Sequence, residues 1–279
     1  MLLVRLEPGL PGGRWAAIVP LRGHDERALV GTTGLTATDL LDRVLVAMPG
    51  TTVAPGRAWE LAICDRDRLL AAVYSQTFDD RVETDVRCRE CDGGAQISFS
   101  LAEWITDQRP DDAGRASRGI AAGPDEDCFY TLEDGTRFRL PTGLDQRELA
   151  SLEPERARVL LLARCIVADP THAHTVGDLS PEIHEKVEAA IAYLGPTIDE
   201  QFTVECQECG AAQEVRFDIQ QYLLRALEHE RRYLTREIHY LACTYGWSLT
   251  EILDLPRDER RDFVALVAAE RAARRERSR

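Results

Sequence analysis

Two C-x-x-C turns set the terms on which this chain can fold, because they are copies of one another. Val86-Arg87-Cys88-Arg89-Glu90-Cys91 returns as Val204-Glu205-Cys206-Gln207-Glu208-Cys209, offset by 118 residues (206 − 88). The match runs on at the same offset: Phe99, Leu101 and Trp104 align with Phe217, Ile219 and Tyr222. A C-x-x-C turn supplies two thiolates at the bite of a tetrahedral zinc ion, and a structural zinc takes four. Each pair leads into a short strand and then a helix, so the two are expected to be the halves of one zinc ribbon. An ordinary ribbon places its second pair about 15–20 residues after the first. Here a whole subdomain is expected between the knuckles, with Cys88, Cys91, Cys206 and Cys209 as ligands of one structural Zn²⁺. Three other readings stand beside it: a metal-free relic, a structural thiol pair, or a redox C-x-x-C. The redox reading wants the first cysteine at a helix N-terminus, where the dipole lowers the thiol pKa. Both pairs are followed instead by short turns, Asp92-Gly93-Gly94 and Gly210-Ala211-Ala212, and then by alternating strands.

The 279 residues suffice for a sizeable core, and 44% hydrophobic with 29% charged residues marks a globular chain rather than a disordered one. No apolar run reaches the roughly 18–20 residues of a membrane span. Met1-Leu2-Leu3-Val4-Arg5-Leu6-Glu7 is too short an apolar stretch for a secretory signal. A cytoplasmic location is therefore expected, where spaced cysteine pairs favour metal over disulfide. Of the other cysteines, Cys165 and Cys243 lie in apolar helical runs and read as buried packing residues. The net charge of −14 argues against nucleic acid as a partner, since a duplex binder carries a basic stripe. Only residues 257–279 are basic, with eight Arg against five acids.

The fold class expected is α+β, mostly helical with short strands and the split ribbon. Its parts are an N-terminal α+β half with the first knuckle (1–106), a flexible insert (107–127), a hairpin with core helices and the second knuckle (128–216), and a C-terminal helical segment (217–279). Within these, Trp15–Leu21 and Trp59–Ile63 read as strands, Thr38 and Asp65 as helix caps, and Asp67 as a first-turn acid. Phe129–Leu132 and Phe138–Leu140 flank Asp134-Gly135, a strong hairpin signal. Pro154 opens a helix whose Val159-Leu160-Leu161-Leu162 run suggests a central core position, and Pro181 opens another. Ile219–Tyr245 is a long helix striped by Leu227, Leu234 and Leu241, with Ile238 and Tyr245 beside them. Ser248-Leu249-Thr250-Glu251 is a capping box, and Pro256 starts a last helix with Phe263, Leu266 and Val267 on one face.

No catalytic constellation emerges. Motifs for dinucleotide, P-loop, zinc-protease or serine-hydrolase chemistry are missing from the sequence. His172 and His174 form the one histidine pair, in a polar loop, while His229 and His239 sit among charged residues of the long helix. Four thiolates would also fill a zinc shell and leave no open position for activating water. The chain is expected not to be an enzyme.

A longer series of residues carries a family likeness. It runs through Asp65-Arg66-Asp67-Arg68-Leu69-Leu70, Thr77-Phe78-Asp79-Asp80-Arg81 and the first C-x-x-C, then Phe138-Arg139-Leu140-Pro141-Thr142 and Arg164-Cys165. It continues through the second C-x-x-C, Phe217-Asp218-Ile219, Arg236-Glu237-Ile238-His239-Tyr240-Leu241-Ala242, and Tyr245-Gly246-Trp247-Ser248 with Glu251-Ile252-Leu253 and Leu255-Pro256. Over residues 60–270 the chain resembles the baseplate hub assembly chaperone family of T-even-type contractile phages, as it occurs in phage-like contractile injection systems. The resemblance implies an accessory protein whose partners are baseplate hub, tube or tape-measure proteins, and which either leaves after assembly or stays as a minor component. The family's knuckles usually read C-P-x-C-G; here Arg89 and Gln207 replace the prolines and Asp92 replaces the first glycine, so looser turns with intact ligands are expected. The other functions weighed are a zinc-ribbon nucleic-acid binder using the Arg-rich tail and, further off, a C-x-x-C thiol oxidoreductase.

Overall fold

The computed structural model describes residues 1–167 and 181–277. It is a mixed helix-and-sheet protein with small antiparallel sheets. The histidine pair His172 and His174 lies outside the described residues.

The chain opens with strands β1 (Leu2–Leu10) and β2 (Gly13–Ile18), paired antiparallel, then helices α1 (Gly23–Ala28) and α2 (Gly34–Val44) and strand β3 (Leu45–Val46). The strands form one sheet in the order β1-β2-β3, which leaves β1 at an edge. Helix α2 buries Leu40, Leu41 and Val44 as its periodicity requires, but its cap is Thr33 rather than Thr38. Thr33 has the extended backbone a cap needs and accepts the Thr36 N–H; Thr38 is buried inside the helix and donates to the Gly34 carbonyl at 3.0 Å.

Trp59–Ile63, expected as a strand, is a single 3₁₀ turn over Ala58–Glu60 followed by the start of helix α3 (Ile63–Thr77). Asp65 is accordingly not the cap of that helix, which starts two residues earlier. Its carboxylate has been taken by another element, accepting the backbone N–H groups of Glu7 (2.6 Å) and Gly9 (2.8 Å) of β1. Asp65, Arg66 and Asp67 are all buried, together with Leu69, Leu70, Val73 and Tyr74. Helix α3 is thus buried on every side, and it anchors the larger apolar core.

Next come β4 (Arg81–Arg87), β5 (Gly94–Ser100), α4 (Leu101–Asp107), α5 (Asp112–Ser117) and β6 (Ile120–Ala122). The stretch 107–127, expected as a flexible insert, therefore contains a helix and a strand. Asp111 caps α5 and also meets the Tyr193 hydroxyl, while β6 pairs with β7 (Phe129–Leu132). The stretch shows little apolar periodicity because these elements are short and held by polar contacts.

The Asp134-Gly135 turn joins β7 to β8 (Arg137–Arg139) as its sequence dictates, with Gly135 at φ 87°. Then follow α6 (Gly143–Leu149), α7 (Pro154–Cys165), β9 (Ile166–Val167) and α8 (Pro181–Leu194), and β9 completes a sheet in the order β6-β7-β8-β9. Tyr130, Phe138, Leu140, Val187 and Leu194 form a second core there. Helix α7 is not central. Val159 is 59% exposed and Leu160 38%, and only Leu162 and Cys165 are buried. Four consecutive residues at about 100° each point all round a helix, and this one packs on a single side.

The last elements are β10 (Asp199–Glu205), β11 (Ala212–Asp218), α9 (Ile219–Tyr245), α10 (Leu249–Asp254) and α11 (Arg257–Arg277). Leu227, Leu234 and Leu241 are buried along α9, but Tyr245, expected beside them, is exposed in the last turn, where Gly246 ends the helix in a left-handed turn. Cys243, expected in the core, is exposed, whereas Cys165 is fully buried. On α11, Val267 is buried but Leu266 is 56% exposed, so the two do not share a core face. The capping box holds: the Ser248 hydroxyl accepts the Glu251 N–H, and the Glu251 carboxylate accepts the Ser248 N–H. No described helix is long and apolar enough to cross a membrane.

Candidate metal centre

The duplication seen in the sequence is a duplication of structure, residue for residue. Strands β4 and β5 pair from Arg81↔Ser100 to Arg87↔Gly94; β10 and β11 pair from Asp199↔Asp218 to Glu205↔Ala212, the same register at the same offset. At the far end of each ribbon the strand runs into a helix capped at equivalent positions, Ser100 before α4 and Asp218 before α9. The first residues of those helices, Leu101 and Ile219, are both buried.

At the near end, each hairpin closes through its knuckle by one pattern of hydrogen bonds. The Cys88 N–H donates to the Gly93 carbonyl (2.8 Å) and Asp92 N–H to the Cys88 carbonyl (3.1 Å). In the second copy, Cys206 N–H donates to the Ala211 carbonyl and Gly210 N–H to the Cys206 carbonyl, both at 2.9 Å. Glu90 N–H also points at the Cys88 sulfur, 3.4 Å away.

The two knuckles face each other and bring four sulfurs together. Cys88 Sγ lies 3.6 Å from Cys209 Sγ, Cys91 Sγ lies 3.6 Å from Cys206 Sγ, and all four are within 4.8 Å of one another. Disulfide sulfurs are bonded at about 2.05 Å, so these thiols are free. Thiolates about 2.3 Å from one tetrahedral ion lie roughly 3.8 Å apart, close to the two 3.6 Å spacings. The cluster is compatible with a metal site in which Cys88 and Cys206 are buried and Cys91 and Cys209 are exposed.

Two further contacts join the two hairpins, and neither has a signature in the sequence repeat. The Gln213 side chain spans them, donating from Nε2 to the Arg87 carbonyl (3.0 Å) and accepting the Arg89 N–H on Oε1 (3.1 Å). Its counterpart in the first ribbon is the buried Ala95, so the bridge runs one way, and no repeat pattern signals it. Towards the helix ends of the two hairpins, Phe99 meets Phe217 edge-to-face at 4.9 Å and Phe202 at 5.4 Å. The first two were visible as an aligned pair; Phe202 was not.

Cys64, Cys128 and Cys165 are poor nucleophiles or ligands. Burial pushes the Cys165 thiol up to about 12 and Cys128 up to about 11, and raises Cys64 further still. Asp65 and Asp67, the one close carboxylate pair on α3, are engaged by backbone and side-chain donors. Asp67 accepts the Ile198 N–H (3.1 Å) and the Gln220 side-chain amide (2.9 Å). His229 meets Arg232, and His239 lies beside Cys243 on the exposed face of α9. No protein-family model, curated protein or solved structure matches the chain.

Proposed function

We propose that this chain is a zinc-stapled, non-catalytic assembly factor of the baseplate hub in a contractile, phage tail-like injection system, acting as a chaperone or remaining as a minor component. The observation that carries the reading is the four-sulfur cluster. Four soft thiolates in a tetrahedral arrangement suit zinc, and with all four positions filled the ion has none left for water or substrate. Its work is then mechanical: it ties residues 88–91 to 206–209 and so fixes the α4 and α9 ends of the two ribbons relative to each other. The likeness in the α9–α11 region supplies the assembly context. That region exposes Tyr245, Leu249 and Leu266, apolar side chains available to a client. The overall charge of −14 weighs against the nucleic-acid reading.

Co-expression with the hub, tube and tape-measure proteins of the same injection system tests the assembly role. The expected result is co-purification with one of them, or a marked rise in its soluble yield that the protein without residues 219–277 does not give. If none associates or changes solubility, the role is wrong whatever the metal.

A further inference from the structure

The geometry points to a peptide-binding groove along the free edge of β1, built to receive an extended, acidic segment of another protein as an added strand. The first observation is the direction of the backbone. Val19, just past β2, donates its N–H to Val44 on the β3 side, so the N–H and C=O groups of Ala17 also face β3 and those of Ala16 and Ile18 face β1. Their partners Val4 and Leu2 therefore spend their groups on β2, and those of Leu3 and Arg5 point outward. Glu7, two residues on, confirms the direction, since its N–H points outward to Asp65. Asp65 and Arg68 occupy the edge at Glu7 and Gly9. At Leu3 and Arg5 no backbone partner stands on the outer side among the described residues.

The second observation is what this edge fronts. A groove of about 550 Å³ lies between β1, α3 and α4, with Ala71, Ala72, Leu101 and Ile105 among its walls. An extended peptide rises about 3.3 Å per residue and turns alternate side chains to one face, so small and branched apolar walls beside an open edge suit strand addition.

The third is charge. Arg5 and Arg109 both line the groove, both are exposed, and neither side chain has a hydrogen-bond or ion-pair partner among the described residues. The acids there are engaged: Glu7 pairs with Arg115, and Asp80 accepts from Ser100 Oγ and the Ala102 N–H. In a chain of net charge −14, two free guanidiniums flanking an open strand edge select a carboxylate-bearing segment. The inference stands on this groove alone and is independent of the baseplate reading.

The test uses the full-length, metal-loaded chain and a fluorescein-labelled heptapeptide alternating valine and glutamate, followed by fluorescence anisotropy. Saturable binding is expected, weakened at least tenfold when lysine replaces glutamate in the peptide and at least tenfold in the Arg5→Glu/Arg109→Glu variant. Both positions are exposed, and an unchanged circular dichroism spectrum shows that the variant is folded. Two further peptides, N-methylated on odd or on even residues, probe the backbone directly. Strand addition uses one set of amides, so only one of the two should lose binding. Absence of saturable binding, indifference to peptide charge, or equal binding of both methylated peptides would each overturn the proposal.

Discussion

Asp92 and Gly210 occupy the same place in the two knuckles, and both hold a left-handed backbone, at φ 60° and 71°. Each follows the second cysteine of its pair and donates its N–H to the carbonyl of the first. The fold therefore demands a left-handed residue at both positions, and the sequence meets the demand with glycine in only one. An L-residue in this region costs about 1–2 kcal/mol, less for Asp and Asn than for others.

Asp92→Gly should consequently stabilise the metal-loaded protein, by about 0.5 kcal/mol once the greater chain freedom of glycine in the unfolded state is set against the relieved strain. Gly210→Ala should cost about 1 kcal/mol, since its Cβ would meet nothing within 4 Å and backbone strain alone is at work. Urea unfolding of both variants at fixed zinc reads the two signs. A loss of stability in Asp92→Gly would mean that the aspartate side chain contributes something its geometry does not reveal.

A single shared ion also makes a numerical demand. Mass spectrometry of the purified protein should find one zinc per chain, and Cys206→Ser should lose it together with the docking of the two ribbons. The apparent free energy of structural zinc sites is about 10–16 kcal/mol, so chelation of the wild-type protein should itself expose the Phe99–Phe202–Phe217 contact to solvent. Two ions per chain, or an unchanged fold after complete chelation, would contradict a four-cysteine staple.

The doubled hairpin was legible in the sequence because repetition at a fixed offset preserves register: Phe99 with Phe217 and Leu101 with Ile219 already implied two equivalent units ending in equivalent helices. The long stripe of α9 and the Asp134-Gly135 hairpin were legible too, being periodic or local signals. The polar centre around α3 was not. Asp65 reads as a helix cap and Asp67 as a first-turn acid, yet Asp65 binds β1 backbone, Asp67 binds Ile198 and Gln220, and Arg66 donates to Thr38 and Gln146. Nothing in local periodicity reports that a charged side chain will be satisfied by groups far away in the chain. The same limit hid the exposure of Val159 and Leu160, where an apolar run had more faces than neighbours.

That buried centre gives stability a pH dependence with a definite sign. Burial pushes the Asp67 carboxyl up from 3.8 to about 6, against the opposing pull of Arg66 and of the Ile198 and Gln220 donors; nearby Asp218 adds to the rise. Between the unfolded and folded values the native state holds the extra proton, so stability falls as pH rises from about 4 to 6 and then levels, a change on the order of 2–3 kcal/mol. Asp145 acts the other way and lower down. Burial alone would raise its pKa, but the Arg139 guanidinium and the Thr142 donors hold it at about 2, so its contribution is lost only as pH drops from 4 towards 2. Asp67→Asn should flatten the profile between pH 4 and 6 while leaving the acid limb intact, as urea titrations at each pH would reveal. An unaltered slope in the variant would remove Asp67 as its source.

The final helix is held by charge rather than by its apolar residues. Arg260, fully buried, donates from Nε to Glu237 of α9 (2.7 Å) and from a terminal nitrogen to Glu26 of α1 (2.5 Å), while Arg257 joins Glu26 to Glu230. The first helix of the chain thus meets α9 and α11 at one ionic cluster. Replacing a buried pair by apolar groups can be neutral, but removing one member strands the charge of the other, at about 3–5 kcal/mol. Arg260→Met should therefore destabilise the protein by that order and speed amide exchange along Arg257–Arg277 first, because Val267 is the only other buried anchor on the helix apart from Arg257. Adding Glu237→Gln should recover part of the loss, since without Arg260 that carboxylate keeps only its longer contact with half-exposed Arg261 (3.5 Å). A drop below about 1 kcal/mol in the single variant would match an exposed ion pair instead, and would assign the docking of α11 to Val267 and the aromatic contact between Trp247 and Phe263.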